Sequence, residues 1–335
     1  MPGPGAVPEA VPGEGPGGPA PDLLARARLL VAPELSASLV RELERIAGRG
    51  AEQLGAGGAA DGPLLCVGAV LPDALRTERL LWFHSVNAGT DPLLAAGPWP
   101  AGALLTRTVG RMGERIAQYV LGWVLAECQA VPEYVAQHAR AEWRRLPTEL
   151  VAGQTALVYG TGRIGGAVAG LLRSCGVRTV GVGRTARTGA APAGFDRVIG
   201  AEEDPDAEAE ELAGARWVVA ALPLTGATEG FFGAGRFAAM RGATFVNVGR
   251  GATVDPVALE DALRGGGVRR AVLDVLPEEP AAPGDPVWRL PRTVITSHSA
   301  GITADEDVAH EFAACWEAVA AGRRPELAVN TGRGY

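Results

Sequence analysis

The chain contains no lysine, so a Schiff base on a lysine amine is excluded and every strong cationic contact must come from arginine. Cysteine is scarce as well. Cys66, Cys128, Cys175 and Cys315 stand far apart without a C-x-x-C pair, so neither a structural zinc site nor a disulfide framework is expected. No apolar run reaches the roughly 20 residues that a bilayer crossing needs, and the first residues lack the basic and apolar regions of a secretory signal. No membrane association is expected, and the default address is the cytoplasm. A net charge of −7 argues against nucleic acid as the main partner, while leaving room for a local basic pocket. The acidic run Glu202 to Glu211 reads as a solvated loop and helix face, and no metal site is expected there or elsewhere.

What remains is a 335-residue chain, 47% hydrophobic and 21% charged, with room for about two globular domains. Residues 2 to 21 are mostly Pro, Gly, Ala and Glu, a composition too poor in apolar side chains to offset ordering entropy, so 1–21 is expected to be a disordered tail. From Ala27 the pattern becomes regular: strands at Leu29–Val31, Leu64–Val67 and Leu80–Phe83, and a helix from Ser36 to Ala47. This reads as a small parallel α/β sheet. A long helix is expected from about Arg111 to Gln137, with Ile116, Tyr119, Val120, Trp123 and Val124 on one apolar face. Six further strands follow, near Ala156–Tyr159, Arg178–Val182, Trp217–Ala221, Thr244–Val248, Ala271–Asp274 and Thr293–Thr296. Six strands with helices between most of them suit a doubly wound parallel sheet. Asp255-Pro256 marks a helix start as N-cap and N1, and a last amphipathic helix runs from about Ala304 to Ala321, its natural partner being the first domain.

The stretch Thr155–Gly165 carries G-x-G-x-x-G at Gly160, Gly162 and Gly165, between an apolar run and a helical one. Gly160 permits the tight strand-to-helix turn, Gly162 lets backbone approach a pyrophosphate, and Gly165 lets helix and strand pack closely, with the phosphates at a helix N-terminus. About 150 residues precede this motif, so another domain must come first. In an NAD site an Asp or Glu about 20 residues further on would bond the ribose 2′-hydroxyl. Here the next strand ends in Gly183-Arg184-Thr185-Ala186-Arg187, with no acid. Arg184, Thr185 and Arg187 supply donors to a 2′-phosphate instead, so NADP(H) is expected in preference to NAD(H).

Three polar residues fall at strand ends or in the loops after them, where open α/β sheets place their ligands: Arg250 in Phe245–Ala252, Glu279 in Leu273–Pro280, and His298 at the end of Val294–His298. Taken singly they read as a loop charge, a turn residue and a satisfied histidine. Together with the glycine turn they resemble the D-isomer-specific 2-hydroxyacid dehydrogenase family, which shares this order of glycine fingerprint, Arg in N-x-x-R-G, Glu in D-V-x-x-x-E-P and a late His. The resemblance runs from residue 27 to the end and includes Ala221–Thr225, Asn247–Gly251, Asp285–Trp288 and Trp82–Asp91. Within the family it is most similar to the NADPH-dependent glyoxylate/hydroxypyruvate reductases, which also carry arginine at the second turn and can end in Arg-Gly-Tyr, as residues 333–335 do. Ser297 departs from the family, which more often has Pro before the His; the change is expected to loosen that loop.

The resemblance implies a doubly wound nucleotide domain (110–298) inserted into a smaller flavodoxin-like substrate-binding domain (22–109 with 299–335), hinges near residues 110 and 300, and a homodimer through the nucleotide domain. It implies catalytic roles for three residues. His298 would give a proton to the carbonyl oxygen of a small 2-oxo acid while NADPH gives hydride to the same carbon. Glu279 would stabilise and orient the imidazolium, and Arg250 would hold the substrate carboxylate. Backbone N–H groups of Asn87, Ala88 and Gly89 would serve the same carboxylate, and Asp274 the nicotinamide carboxamide. The same matching places Gly160, Gly162, Arg163, Ile164, Gly165, Leu222, Pro223, Thr225 and Val248 around the cofactor. Substrate size is expected to depend on Trp82, His84 and residues 97–100. Two other readings stand beside this one: a formate- or phosphite-type dehydrogenase, against which Glu279 counts because the formate enzymes pair the His with Gln, and an NADP(H) sensor like the family's corepressors.

Overall fold

Runs in which every side chain is buried, such as Leu64–Gly68, Trp217–Ala220 and Ala243–Asn247, belong to parallel strands covered on both faces. The computed structural model describes residues 18–55, 62–185 and 194–332 and gathers those runs into two sheets. Each sheet lies in its own unit, one made of residues 1–110 with 303–335, the other of residues 111–302.

The first unit contains α1 (Pro21–Arg26), β1 (Arg28–Val31), α2 (Ala37–Ala47), β2 (Ala51–Gln53), β3 (Leu64–Gly68), β4 (Leu80–Ser85), α3 (Asp91–Ala95) and β5 (Leu104–Arg107). Its sheet is parallel throughout, in the order β2-β1-β3-β4-β5, the flavodoxin-like arrangement. The edge strands β2 and β5 add to the three expected; Ala51–Gln53 has no apolar run to reveal it. Helix α2 starts where Ser36 Oγ accepts the Leu39 N–H and stops where Gly48 turns left-handed, and it buries Leu39, Leu43 and Ala47 as a single stripe. Order begins within the expected tail: Pro19 is buried and Pro21 opens α1, while residues 1–17 lie outside the described residues.

The second unit runs through α4 (Met112–Cys128), α5 (Val131–Ala139), β6 (Thr155–Tyr159), α6 (Arg163–Ser174), β7 (Arg178–Gly183), β8 (Arg197–Gly200), α7 (Pro205–Gly214), β9 (Trp217–Ala220), α8 (Ala234–Ala239), β10 (Ala243–Asn247), α9 (Pro256–Gly265), β11 (Val268–Leu273) and β12 (Thr293–Ile295). The sheet order is β12-β11-β10-β9-β6-β7-β8, all parallel, which puts the topological switch point beside β6. Seven strands replace the six expected, the addition being the short edge strand β8. The single helix expected from 111 to 137 is interrupted, because Ala130 takes a left-handed φ of 52° just ahead of Pro132.

On one face of this sheet, α4 and α6 interlock through Ile116, Val120, Val124, Val168, Ala169 and Leu172. The other face holds an edge-to-face cluster of Tyr159, Phe232, Phe237 and Phe245 with centroids 4.8 to 5.4 Å apart along the chain of contacts. The acidic run is not wholly solvated: Glu208 is buried, accepting from Tyr159 Oη at 2.7 Å and pairing with Arg236 at 2.7 Å. At the start of β9 and β10, Arg216 pairs with Glu127 and Glu149, and Thr244 Oγ1 donates to Glu127. These contacts fasten the irregular segment 140–150, where Trp143 and Leu150 remain fully outward.

The chain then returns to the first unit with α10 (Asp305–Ala320), which packs on α2 and places Phe312 5.2 Å from Trp82 in a stacked pair. Cys66, Cys128 and Cys315 are buried free thiols, and Cys175 is a half-buried one. Among the described residues there is no cluster of His, Cys, Asp and Glu fit for a metal, and no helix is long and apolar enough to cross a membrane.

Candidate active site

The glycine turn lies at the C-terminal end of β6, beside the switch point. Gly160 has φ 99°, and a Cβ there would stand 2.6 Å from the Ala221 carbonyl oxygen; a Cβ on Gly165 would meet the Gly160 carbonyl at 1.8 Å. Packing alone therefore demands glycine at both positions. Gly162 differs. It is the N-cap of α6 without a side-chain cap, and nothing lies within 4 Å of the Cβ it lacks. Among the described residues the start of α6 thus carries no N-cap side chain and the space at Gly162 is open, as suits an anion at a helix N-terminus. Arg163 is exposed at the first helical position, and Ile164 packs against the core.

At the end of β7, Arg184 and Thr185 are exposed and no carboxylate follows the strand; Arg187 lies outside the described residues. After β9 the loop bends back on itself: Thr228 Oγ1 donates to the Pro223 carbonyl at 2.6 Å and accepts the Thr225 N–H at 2.8 Å. Leu222 is half-buried and Pro223 exposed. Val248 is buried in the core with its N–H on the Ala220 carbonyl, so any cofactor contact it makes is through backbone.

After β10, the Asn247 side chain shapes the turn that carries Arg250. Its Oδ1 accepts the Gly249 N–H at 3.0 Å and its Nδ2 donates to the Arg250 carbonyl at 3.1 Å. Arg250 is half-buried, with Nη1 donating to the Gly249 carbonyl at 2.8 Å. The next residue, Gly251, is pressed on the loop after β11 so closely that a Cβ would fall 1.9 Å from the Leu276 carbonyl carbon.

His298 and Glu279 are brought together. Nδ1 of the imidazole lies 2.7 Å from Glu279 Oε2, and Glu279 Oε1 accepts the Leu276 N–H at 2.8 Å. Both side chains are partly exposed and open on a cavity of about 300 Å³ also lined by Asp274, Leu276, Trp288 and Ile295. Sequence reasoning missed Trp288 as part of this wall; its Nε1 donates to the Ala282 carbonyl at 2.9 Å, which holds the indole on the cavity.

Asp274 is almost fully buried and binds the His298 loop directly. Oδ1 accepts Thr296 Oγ1 at 2.6 Å and the Ser299 N–H at 2.9 Å, the Ala300 N–H reaches both oxygens at 3.1 Å, and the Asp274 carbonyl accepts the His298 N–H at 2.6 Å. Ser297 and His298 take left-handed φ of 57° and 54°. Proline, fixed near −65°, could not stand at 297 in this backbone. The loop expected to be loosened by Ser297 is therefore closely tied.

In the first unit, the turn after β4 is partly used by its own chain. The Val86 N–H donates to the Gly68 carbonyl at 3.1 Å and the Asn87 N–H to Ser85 Oγ at 3.2 Å, whereas Ala88 and Gly89 N–H groups have no partner among the described residues. Of the three backbone donors expected, Asn87 is thus already engaged. Trp82 and His84 do not line a surface: both are fully buried. Trp82 Nε1 donates to Thr106 Oγ1 at 2.7 Å, Thr106 donates in turn to His84 Nδ1 at 2.7 Å, and His84 Nε2 donates to Thr108 Oγ1 at 3.0 Å. The Thr108 hydroxyl spends its proton on the Ser85 carbonyl, which fixes the neutral Nε2–H tautomer. Burial pushes the His84 pKa down to about 3.

Residues 121–300 match the family model described as D-isomer specific 2-hydroxyacid dehydrogenase, NAD binding domain. A Streptomyces coelicolor protein described as an uncharacterized protein in the mprR 3′ region is 59% identical over 280 residues, covering 83% of this chain and 98% of that one. The glyoxylate/hydroxypyruvate reductase A of Serratia proteamaculans is 31% identical over 264 residues, covering 77% of this chain and 82% of the relative. A crystal structure of a D-isomer specific 2-hydroxyacid dehydrogenase from Xanthobacter autotrophicus Py2, in complex with NADPH and MES, superposes with a TM-score of 0.79 at 28% identity, over 92% of this chain and 100% of that one.

Proposed function

Since the chain belongs to the D-isomer specific 2-hydroxyacid dehydrogenases, NAD(P)-dependent oxidoreductases, we propose that it reduces a small 2-oxo acid of the glyoxylate or hydroxypyruvate kind to the D-2-hydroxy acid, with NADPH preferred over NADH. The observation that carries this reading is the 2.7 Å contact between Glu279 and His298, at the same strand ends that present Arg250 and the glycine turn.

With Nδ1 engaged by Glu279, Nε2 is the ring nitrogen through which protonated His298 gives its proton to the substrate carbonyl oxygen. Glu279, itself held by the Leu276 N–H, keeps the ring in that orientation and balances its charge. Arg250 binds the carboxylate of the 2-oxo acid and draws electron density from the neighbouring carbonyl. In the first unit, Ala88 and Gly89, whose N–H groups have no partner among the described residues, are proposed as donors to a substrate carboxylate. Bound NADPH supplies the hydride. The open N-terminus of α6 at Gly162 suits its pyrophosphate, Arg184, Thr185 and Arg187 its 2′-phosphate, and Leu222, Pro223, Thr225 and Val248 the rest of the dinucleotide. Asp274 Oδ2, which among the described residues receives only the Ala300 N–H, has capacity left for the carboxamide. NADPH in the Xanthobacter structure and the absence of an acid after β7 both support the cofactor preference.

We also assign self-association to the second unit. Val131, Val135, Trp143 and Leu150 are each exposed on α5 and the segment after it, and a second copy of this chain is the partner proposed to cover them.

NADPH consumption against 2-oxo acids from glyoxylate to phenylpyruvate, repeated with NADH, tests the catalytic reading. The highest kcat/KM is expected with NADPH and the smallest acids; no turnover with any acid would sink it.

A further inference from the structure

We propose that Tyr119 is a positioning residue for His298, its hydroxyl acting through Thr296 and the Asp274 carboxylate to hold residues 297 and 298 in the backbone that sets the imidazole on Glu279. The inference deepens the catalytic reading of His298 and rests on it.

The backbone at Ser297 and His298 is unfavourable in itself: two consecutive non-glycine residues in the left-handed region cost about 1 kcal/mol or more each and persist only when their surroundings over-determine them. The surroundings here are hydrogen bonds that converge on Asp274, from Thr296 Oγ1 and the N–H groups of His298, Ser299 and Ala300. Ser299 Oγ closes the turn on the Thr296 carbonyl at 2.5 Å. The bonds to Asp274 join the loop to the residue that follows β11. Tyr119 is the tie to another element: it reaches from α4, 177 residues away in sequence, to Thr296 Oγ1 at 2.7 Å.

The direction of that bond follows from proton counting. Thr296 has one hydroxyl proton, and the carboxylate of Asp274 can only accept it, so towards Tyr119 the Thr296 oxygen accepts and the phenol donates. Burial holds the Tyr119 phenol up at about 12, and the nearby Asp274 charge acts in the same direction, so the donor is present throughout the neutral range. The result is a directed chain from Tyr119 to Thr296 to Asp274. Each member polarises the next, and a hydroxyl rotor that could otherwise turn away is fixed on the carboxylate. Edge-to-face contact with Trp123, at 6.4 Å between centroids, sets the phenol ring in turn.

The test compares Tyr119→Phe, Thr296→Val, Thr296→Ser and the double variant Tyr119→Phe with Thr296→Val. The readouts are kcat, KM, NADPH affinity by fluorescence, and a crystal structure of each. Tyr119→Phe is expected to lower kcat about fivefold, the scale of one neutral hydrogen bond, with KM and NADPH affinity within about twofold. Thr296→Val should lower kcat more than tenfold, and adding Tyr119→Phe to it should change nothing further, whereas Thr296→Ser, which keeps the hydroxyl, should stay within about threefold of the parent. The crystal structures of Tyr119→Phe and Thr296→Val should show residues 297 and 298 displaced and the Glu279–His298 contact lengthened. A Tyr119→Phe protein with full kcat and an unmoved loop, or additive losses in the double variant, would overturn the proposal. The His298→Asn protein separates the two failures: if it retains full turnover, the catalytic reading is lost, and the loop positions in the Tyr119→Phe structure alone decide whether Tyr119 positions His298.

Discussion

Glu279 Oε2 lies 2.7 Å from His298 Nδ1 while the other carboxylate oxygen is occupied by a backbone N–H, so the pair has one orientation and one nitrogen left for substrate. His298→Asn is expected to lower kcat about a thousandfold with little change in NADPH affinity, since the lost group is a proton donor. Glu279→Gln keeps the Leu276 contact but removes the charge that balances an imidazolium, and should lower kcat about ten- to a hundredfold. Steady-state NADPH consumption measures both, and full turnover in His298→Asn would remove that residue as the acid.

Charge at the end of β7 should choose the cofactor. Replacing Arg184 with Asp and Arg187 with Ala places a carboxylate where a 2′-phosphate would sit, and the ratio of kcat/KM for NADPH over NADH is expected to fall at least about tenfold. An unchanged ratio would mean that the 2′-phosphate is read by other residues.

The three glycines of the turn should part company on substitution. Gly165→Ala forces a Cβ into the Gly160 carbonyl and is expected to destabilise the fold by about 3 kcal/mol or more. Gly162→Ala meets nothing in the chain, so denaturant midpoints should shift by less than about 0.5 kcal/mol, yet NADPH affinity should weaken about tenfold or more. Equal losses of stability in both variants would contradict the open space before Gly162.

His84 gives stability a pH dependence of definite sign. Its folded pKa, about 3, lies below the unfolded value of 6.5, so between those limits only the unfolded chain takes up the proton. Its contribution is complete above pH 6.5 and is lost as pH falls towards 3, at up to about 1.4 kcal/mol per pH unit. Urea unfolding at stepped pH should show this slope in the parent and a shallower one in His84→Gln; identical slopes would assign the effect to carboxylates.

Trp143→Asp combined with Leu150→Asp should convert a self-associated protein to monomers in sedimentation velocity without lowering the unfolding midpoint, because both side chains project into solvent. A parent that sediments as a monomer at micromolar concentration would end this assignment.

Local chemistry was the legible part of this chain. Ser36 and Asp255 cap their helices, the latter accepting from Val257 and Ala258, and the central strands follow their apolar runs. Edge strands were hard to see because β2 and β8 have three and four residues and face neighbours on one side only. Long-range pairings were invisible: no local pattern reveals that Glu208 turns inward to Tyr159 and Arg236, or that Tyr119, placed on an apolar stripe by period alone, ends on Thr296. Trp82 and His84 looked like pocket residues because they precede a ligand-type turn, but alternation along β4 and the ring of Phe312 draw both into the core.

The contact of Gly251 with Leu276 has a consequence for how such a site can change over time. Arg250 precedes that glycine, Leu276 holds Glu279, Glu279 meets His298, and the His298 loop returns to Asp274. The polar groups thus sit on one series of touching backbone segments, which the Asp274 N–H closes on the Asn247 carbonyl just ahead of Arg250, so a substitution in one seat bears on its neighbours. New substrate ranges would have to arise on surfaces outside this series, and a laboratory library that randomises one of its members should yield mostly dead enzymes.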